Sequence, residues 1–133
     1  METLNISHNN LTGEIPNLSL KLLNRPSIFL DSNQIGGKVP SFMLQASELL
    51  LSKNKFSDFF SFLCYQSTTS NLMTLDLSSN LITGELPNCW KSVESLLILD
   101  LSNNKLSGKI PMSMGTLVKL KATTILQIKI LKF

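Results

Sequence analysis

Apolar residues in this chain fall into short alternating triplets rather than long runs. Leu4-Asn5-Ile6, Leu75-Asp76-Leu77 and Leu99-Asp100-Leu101 read apolar, polar, apolar, and Ile28-Phe29-Leu30 and Leu49-Leu50-Leu51 keep the spacing with an apolar middle residue. A period of two predicts short strands buried on one face. Three residues after each triplet stands an asparagine: Asn9, Asn33, Asn54, Asn80 and Asn104. These are 24, 21, 26 and 24 residues apart. Strands recurring at that interval stack in parallel at ~4.8 Å, so five of them span roughly 24 Å. A single such coil cannot bury its apolar side, and only stacking makes a core.

The fullest copies are LMTLDLSSNLITGELP (72–87) and LLILDLSNNKLSGKIP (96–111). A period of 20–29 residues built on L-x-x-L-x-L-x-x-N-x-L is the mark of leucine-rich repeats. The predicted fold class is therefore an α/β-type repeat solenoid: about five coils, a concave parallel β-sheet, and an irregular or 3-10 convex side. The five asparagines are expected to form a structural ladder. A short amide turned inward can satisfy free backbone groups of its own coil and the next. Gly13, Gly37, Gly84 and Gly108, four residues further on, suit turns of positive φ. Coil three carries Asp58 and Ser61 where the other coils have Gly and Pro. Aspartate tolerates the left-handed region, so the same turn is expected there at some cost. A sixth coil starts at Leu120 and Ile125 but breaks at Thr123 and Ile128. The expected organisation is a solenoid over 1–122 and a basic, apolar tail over 123–133.

The net charge of +3 does not mark a nucleic-acid protein. Residues 1–118 hold 8 Lys and Arg against 9 Asp and Glu, and the excess is four lysines in the last fifteen residues, Lys119, Lys121, Lys129 and Lys132. A tail is not a basic face. No apolar run reaches the 18 or so residues of a membrane span, and METLNISHNN lacks the basic start and apolar core of a signal peptide.

Catalytic and metal sites find little support. His8, the single histidine, is expected to be solvent-exposed with Glu2 and Glu14 as its nearest acids, and no strained nucleophile turn accompanies it. Two cysteines and one histidine fall short of four zinc ligands, so no metal and no cofactor are expected. Gly36-Gly37 reads as a repeat turn rather than a phosphate cradle. Cys64 and Cys89 lie ten and nine residues after their ladder asparagines, hence at nearly equivalent places on consecutive coils. That puts them within disulfide reach, and a bridge is favoured over two buried thiols in an oxidising compartment. Asn5, Asn10 and Asn17 head N-x-[ST] sequons and are candidate glycosylation sites in a secreted chain.

The middle residues of the strands face the concave side and form columns: Asn5, Phe29, Leu50, Asp76, Asp100, and beside them Thr3, Ser27, Glu48, Thr74, Ile98. A third column runs Ser7, Asp31, Ser52, Ser78, Ser102. Phe29, Leu50, Asp76, Asp100, Glu48, Thr74 and Ile98 are the candidate ligand-binding residues, since apolar groups exposed on a concave sheet mark binding surfaces.

With the G-x-[IVL]-P endings at Gly13–Pro16, Gly37–Pro40, Gly84–Pro87 and Gly108–Pro111 added, the chain resembles plant extracellular leucine-rich repeats. These build the ectodomains of receptor-like proteins and receptor kinases. The FLC (62–64) and ELPNCW (85–90) stretches resemble the fungal-xylanase-receptor group. The resemblance implies a non-catalytic module that recognises a protein or peptide ligand in defence or developmental signalling. It also implies an extracellular or plasma-membrane setting, a glycoprotein, and a co-receptor kinase as a further partner. The sequence has no G-x-G-x-x-G, V-A-I-K, H-R-D or D-F-G, so a kinase label would attach by similarity only. The alternatives are a soluble wall-located inhibitor of pathogen enzymes and a non-functional gene fragment. Bare ends at Leu4 and Ile6 and at the tail lead to the expectation of a truncated chain that self-associates and, expressed as it stands, remains cytosolic.

Overall fold

The computed structural model describes residues 2–59, 63–65, 70–120 and 122–124. Strands β1 (Thr3–Asn5), β2 (Thr12–Glu14), β3 (Ser27–Phe29), β4 (Gln34–Lys38), β5 (Glu48–Leu50), β6 (Lys55–Asp58), β7 (Thr74–Asp76), β8 (Thr83–Glu85), β9 (Ile98–Asp100), β10 (Lys105–Ser107) and β11 (Ala122–Thr124) follow one another along the chain. The odd-numbered strands form a six-stranded sheet in the order β1-β3-β5-β7-β9-β11. Every pair in it is parallel. This is the concave sheet of a leucine-rich-repeat solenoid, with one strand more than the five expected. Thr123 pairs with Leu99 although it breaks the leucine pattern, because backbone pairing needs the strand's N–H and C=O groups rather than its side chain. The expected boundary at 122/123 thus falls inside β11, and residues 125–133 of the tail lie outside the described residues.

The flanking residues of each triplet point inward. Ile28, Leu30, Leu49, Leu51, Leu75, Leu77, Leu99 and Leu101 are all buried, and with Phe56, Ile82 and Trp90 they make one continuous core. Coil one covers it on one side, and only incompletely: Leu11, Leu18, Leu20 and Leu23 are exposed.

The ladder forms as expected and its bonding is regular. Asn33 Nδ2 donates to the carbonyls of Leu30 and Asp31 in its own coil and of Ile6 in the preceding one. Its Oδ1 accepts from the backbone N–H groups of Asn9 and Leu11. Asn54, Asn80 and Asn104 repeat this across each successive junction, with Oδ1 accepting from Ile35, Phe56 and Ile82. Their Nδ2 groups reach back to Leu30, Leu51 and Leu77. The Nδ2 group of Asn9 donates to the carbonyls of Ile6 and Ser7, both in its own coil. The residue before each asparagine turns the chain through the left-handed region: His8, Ser32, Lys53, Ser79 and Asn103 have φ of 55–58°.

On the convex side the even-numbered strands form a second layer, which the triplet pattern does not predict. It is split: β2-β4-β6 form one sheet, β8-β10 another. The four repeat glycines have φ from +76° to +91°. Asp58 does not copy them. Its φ is not positive, and β6 instead shifts register against β4, Gly37 facing Phe56 and Lys38 facing Asp58, so that Ser57 bulges out. An extra residue in the strand does what a left-handed residue does elsewhere, because a bulge also bends the chain without a positive φ at Asp58. After Pro40 and Pro111, both extended, the chain enters 3-10 turns at Ser41–Gln45 and Met112–Thr116. Proline suits this place because it lacks the N–H that a continuing ladder would use. Further 3-10 turns span Leu63–Tyr65 and Trp90–Val93.

Cys64 and Cys89 are disulfide-bonded, with Cα atoms 5.0 Å apart. The bridge joins the convex sides of coils three and four, where β6 and β8 are not paired with each other.

Candidate functional site

Strand register places the predicted columns side by side. One row runs Asn5–Phe29–Leu50–Asp76–Asp100 through direct pairing of neighbours. The next runs Thr3–Ser27–Glu48–Thr74–Ile98 in the same way. The third column continues the ladder just beyond the strands, His8 donating to the Asp31 carbonyl and Ser32 to that of Ser52. The seven candidate residues therefore share one continuous surface. Ile98 is 44% exposed, whereas Phe29, Leu50, Glu48, Thr74, Asp76 and Asp100 are half-buried against their neighbours.

Local hydrogen bonds fix the polar members. Asp76 Oδ1 accepts from the N–H and Oγ of Ser78 at 2.9 and 2.6 Å. Asp100 Oδ1 accepts from Ser102 at 3.0 and 2.7 Å, and Asn5 Oδ1 from Ser7 at 3.1 and 2.7 Å. This Asp/Asn-x-Ser turn lies directly after the strand and holds each side chain by its Oδ1. Glu48 Oε2 accepts from Ser27 Oγ across the β3–β5 pair at 2.9 Å.

One residue of this surface was not predicted. Met73, 42% exposed, lies one position before β7 and beside Leu97, and the two line an open cleft of about 280 Å³ with Arg25, Ser47, Asn71, Ser95 and Lys119. Its position just outside the triplet hid it, although counting one residue back from each strand finds the column. A larger groove of about 490 Å³ runs across coils one to three, with Asn17, Arg25, Gln45 and Asn71 among its lining residues.

The other predicted residues are placed as follows. His8 is exposed as expected, but its acidic neighbour is Asp31 of the next coil, with Nε2 3.7 Å from Oδ2, rather than Glu2 or Glu14. Stacking brings coil two closer to it than residues near it in sequence. Asn5, Asn10 and Asn17 are all exposed on coil one. Among the described residues no group of three His, Cys, Asp or Glu is placed to hold a metal ion, and no helix is long and apolar enough to cross a membrane.

Comparison with known proteins agrees with this geometry. Leucine-rich-repeat family models match residues 1–22 and 70–128. The receptor-like protein EIX2 of Solanum lycopersicum is 34% identical over 95 residues, covering 71% of this chain and 9% of that protein. The leucine-rich-repeat ectodomain of the receptor kinase SOBIR1 from Arabidopsis thaliana superposes over 96% of this chain and 70% of its own, with a TM-score of 0.74 and 31% identity. The plant peptide hormone receptor RGFR1, solved in complex with RGF2, matches with a TM-score of 0.77 and 28% identity over 99% of this chain and 21% of its own. The chain thus spans about a tenth of the tomato protein and a fifth of the hormone receptor.

Proposed function

We propose that this chain, which belongs to the leucine-rich-repeat family in the form found in plant receptor ectodomains, is a non-catalytic segment that recognises a protein or peptide on its concave face. The observation that carries the reading is the unbroken register of the concave sheet. It turns residues scattered over 95 positions, from Asn5 to Asp100, into adjacent columns with apolar groups facing outward. A surface of that kind binds by contact area and placed polar groups.

The finer reading is a part in defence or developmental signalling at the cell surface, within a longer receptor that also engages a co-receptor kinase. Its support is the likeness to the tomato receptor-like protein and to the receptor ectodomains. In that setting Asn5, Asn10 and Asn17 would carry glycans, because all three are exposed and a folded coil leaves them accessible. Mass spectrometry of the secreted chain reads their occupancy directly, and three bare asparagines would remove that part.

The test of the main reading is alanine at Phe29, Leu50 and Asp76. Each should weaken a peptide selected against the chain by about fivefold to thirtyfold, in line with losing a contact worth ~1–2 kcal/mol. Unchanged affinity in all three would move the site off the concave face. Inhibition of a fungal polygalacturonase by the chain would instead favour the soluble-inhibitor alternative.

A further inference from the structure

The concave sheet differs in charge from the rest of the molecule. Its six strands hold three acids, Glu48, Asp76 and Asp100, and no lysine or arginine, although the chain as a whole is +3. The convex strands hold Lys38, Lys55 and Lys105 against Glu14, Asp58 and Glu85, which balance. Among the described residues, cations stand at the rims of the concave surface: Lys53 in the turn after β5, and Arg25 and Lys119 around the Met73–Leu97 cleft.

Within one column the chemistry changes from apolar to acidic. Phe29 and Leu50 are register partners, and so are Asp76 and Asp100. The two pairs are two strand spacings apart, ~10 Å at ~4.8 Å per strand. Each of the two carboxylates is held at Oδ1 by its serine, and among the described residues Oδ2 has no hydrogen bond. A carboxylate already fixed by its neighbour loses little side-chain freedom on binding, so its attraction for a cation is better realised. Two fixed acids on adjacent strands also repel each other, and a cation between them relieves that repulsion.

Building on the recognition role proposed above, we infer that the ligand of this face is a cationic peptide segment. It lays a hydrophobic side chain on Phe29 and Leu50 and a lysine or arginine on Asp76 and Asp100. In a polyproline-type backbone, rising ~3.1 Å per residue with three residues per turn, side chains three apart share one face ~9 Å apart. The spacing of the two pairs matches that step. The segment therefore has a hydrophobic residue and a basic residue three positions apart, and the two cannot both be satisfied by an acidic or uniformly apolar peptide.

The experiment screens the 133-residue chain against synthetic peptide libraries of one length that differ at one position. One set fixes a hydrophobic residue three positions from Arg, in either order, and the other replaces that Arg by Glu. The Arg set should bind at least tenfold more tightly, and the preference should shrink as salt rises from low to several hundred millimolar. Asp76→Asn with Asp100→Asn, close in shape to the original, should lower affinity for the Arg set about tenfold. Asp76→Lys with Asp100→Lys should turn the preference towards Glu. Salt dependence on the unaltered chain keeps the test valid should a variant fail to fold. Equal binding of the two sets, or a preference for Glu by the unaltered chain, overturns this inference and leaves the recognition role standing. Absence of binding by either set overturns both.

Discussion

Coils three and four stack directly on one another and share a concave side, yet their convex sides differ almost throughout. On the concave side Glu48, Leu49 and Leu50 pair residue for residue with Thr74, Leu75 and Asp76, and Leu51 and Leu77 are equally buried. On the convex side coil four has the glycine turn at Gly84, a short strand and a 3-10 turn led by Cys89. Coil three has the bulge at Ser57, a 3-10 turn at Leu63–Tyr65 and no strand pairing with β8. The half of the repeat that turns on asparagine is thus independent of the half that turns on Gly and Pro. Where the convex strands are not paired, the Leu81 N–H still donates to the Phe56 carbonyl and Ser92 Oγ to that of Leu63, and a covalent bond joins the same two coils.

If the concave halves are equivalent, Leu51→Ala and Leu77→Ala should each lower stability by about 4 kcal/mol, and the two should agree within ~1 kcal/mol. Denaturant unfolding measures both, and a much smaller loss at Leu51 would show coil three to be loosely held on both sides. Cys64→Ser with Cys89→Ser should cost about 3 kcal/mol, the loop-closure value for 25 residues. Hydrogen exchange should then rise on the convex side of coils three and four while the amides of β5 and β7 stay protected. Exchange rising equally on both sides would contradict the independence of the two halves. The smallest effects belong to the turns. Gly84→Ala, at φ +85° with open space around its missing Cβ, should cost about 1–2 kcal/mol from backbone strain alone. Asp58→Gly should change stability by less than ~1 kcal/mol, and a clear gain there would mean that coil three does use a left-handed turn.

What the sequence discloses divides along the same line. The strands, the ladder and the columns are legible because they rest on residues at fixed offsets within a coil, each with one physical task. The disulfide is legible for a related reason: equal offsets on stacked coils are equal positions in space. The split second sheet, the bulge at Ser57 and the contact of His8 with Asp31 are not legible, since each depends on how one coil lies against the next. The strand at Ala122–Thr124 shows a further limit, because pairing follows a neighbour's edge even where leucine is missing.

The ladder asparagines are 24, 21, 26 and 24 residues apart, while the pairing of the inner strands stays in step from coil to coil. Differences in length are therefore taken up along the outer arc of each turn and never reach the inner one. Insertions and deletions that would throw a hairpin out of register are silent here, provided they fall between a coil's Gly-Pro ending and its next strand. Such a chain can gain or lose residues on its outer circumference, as coil three has, while the inner face continues to present the same letters in the same order.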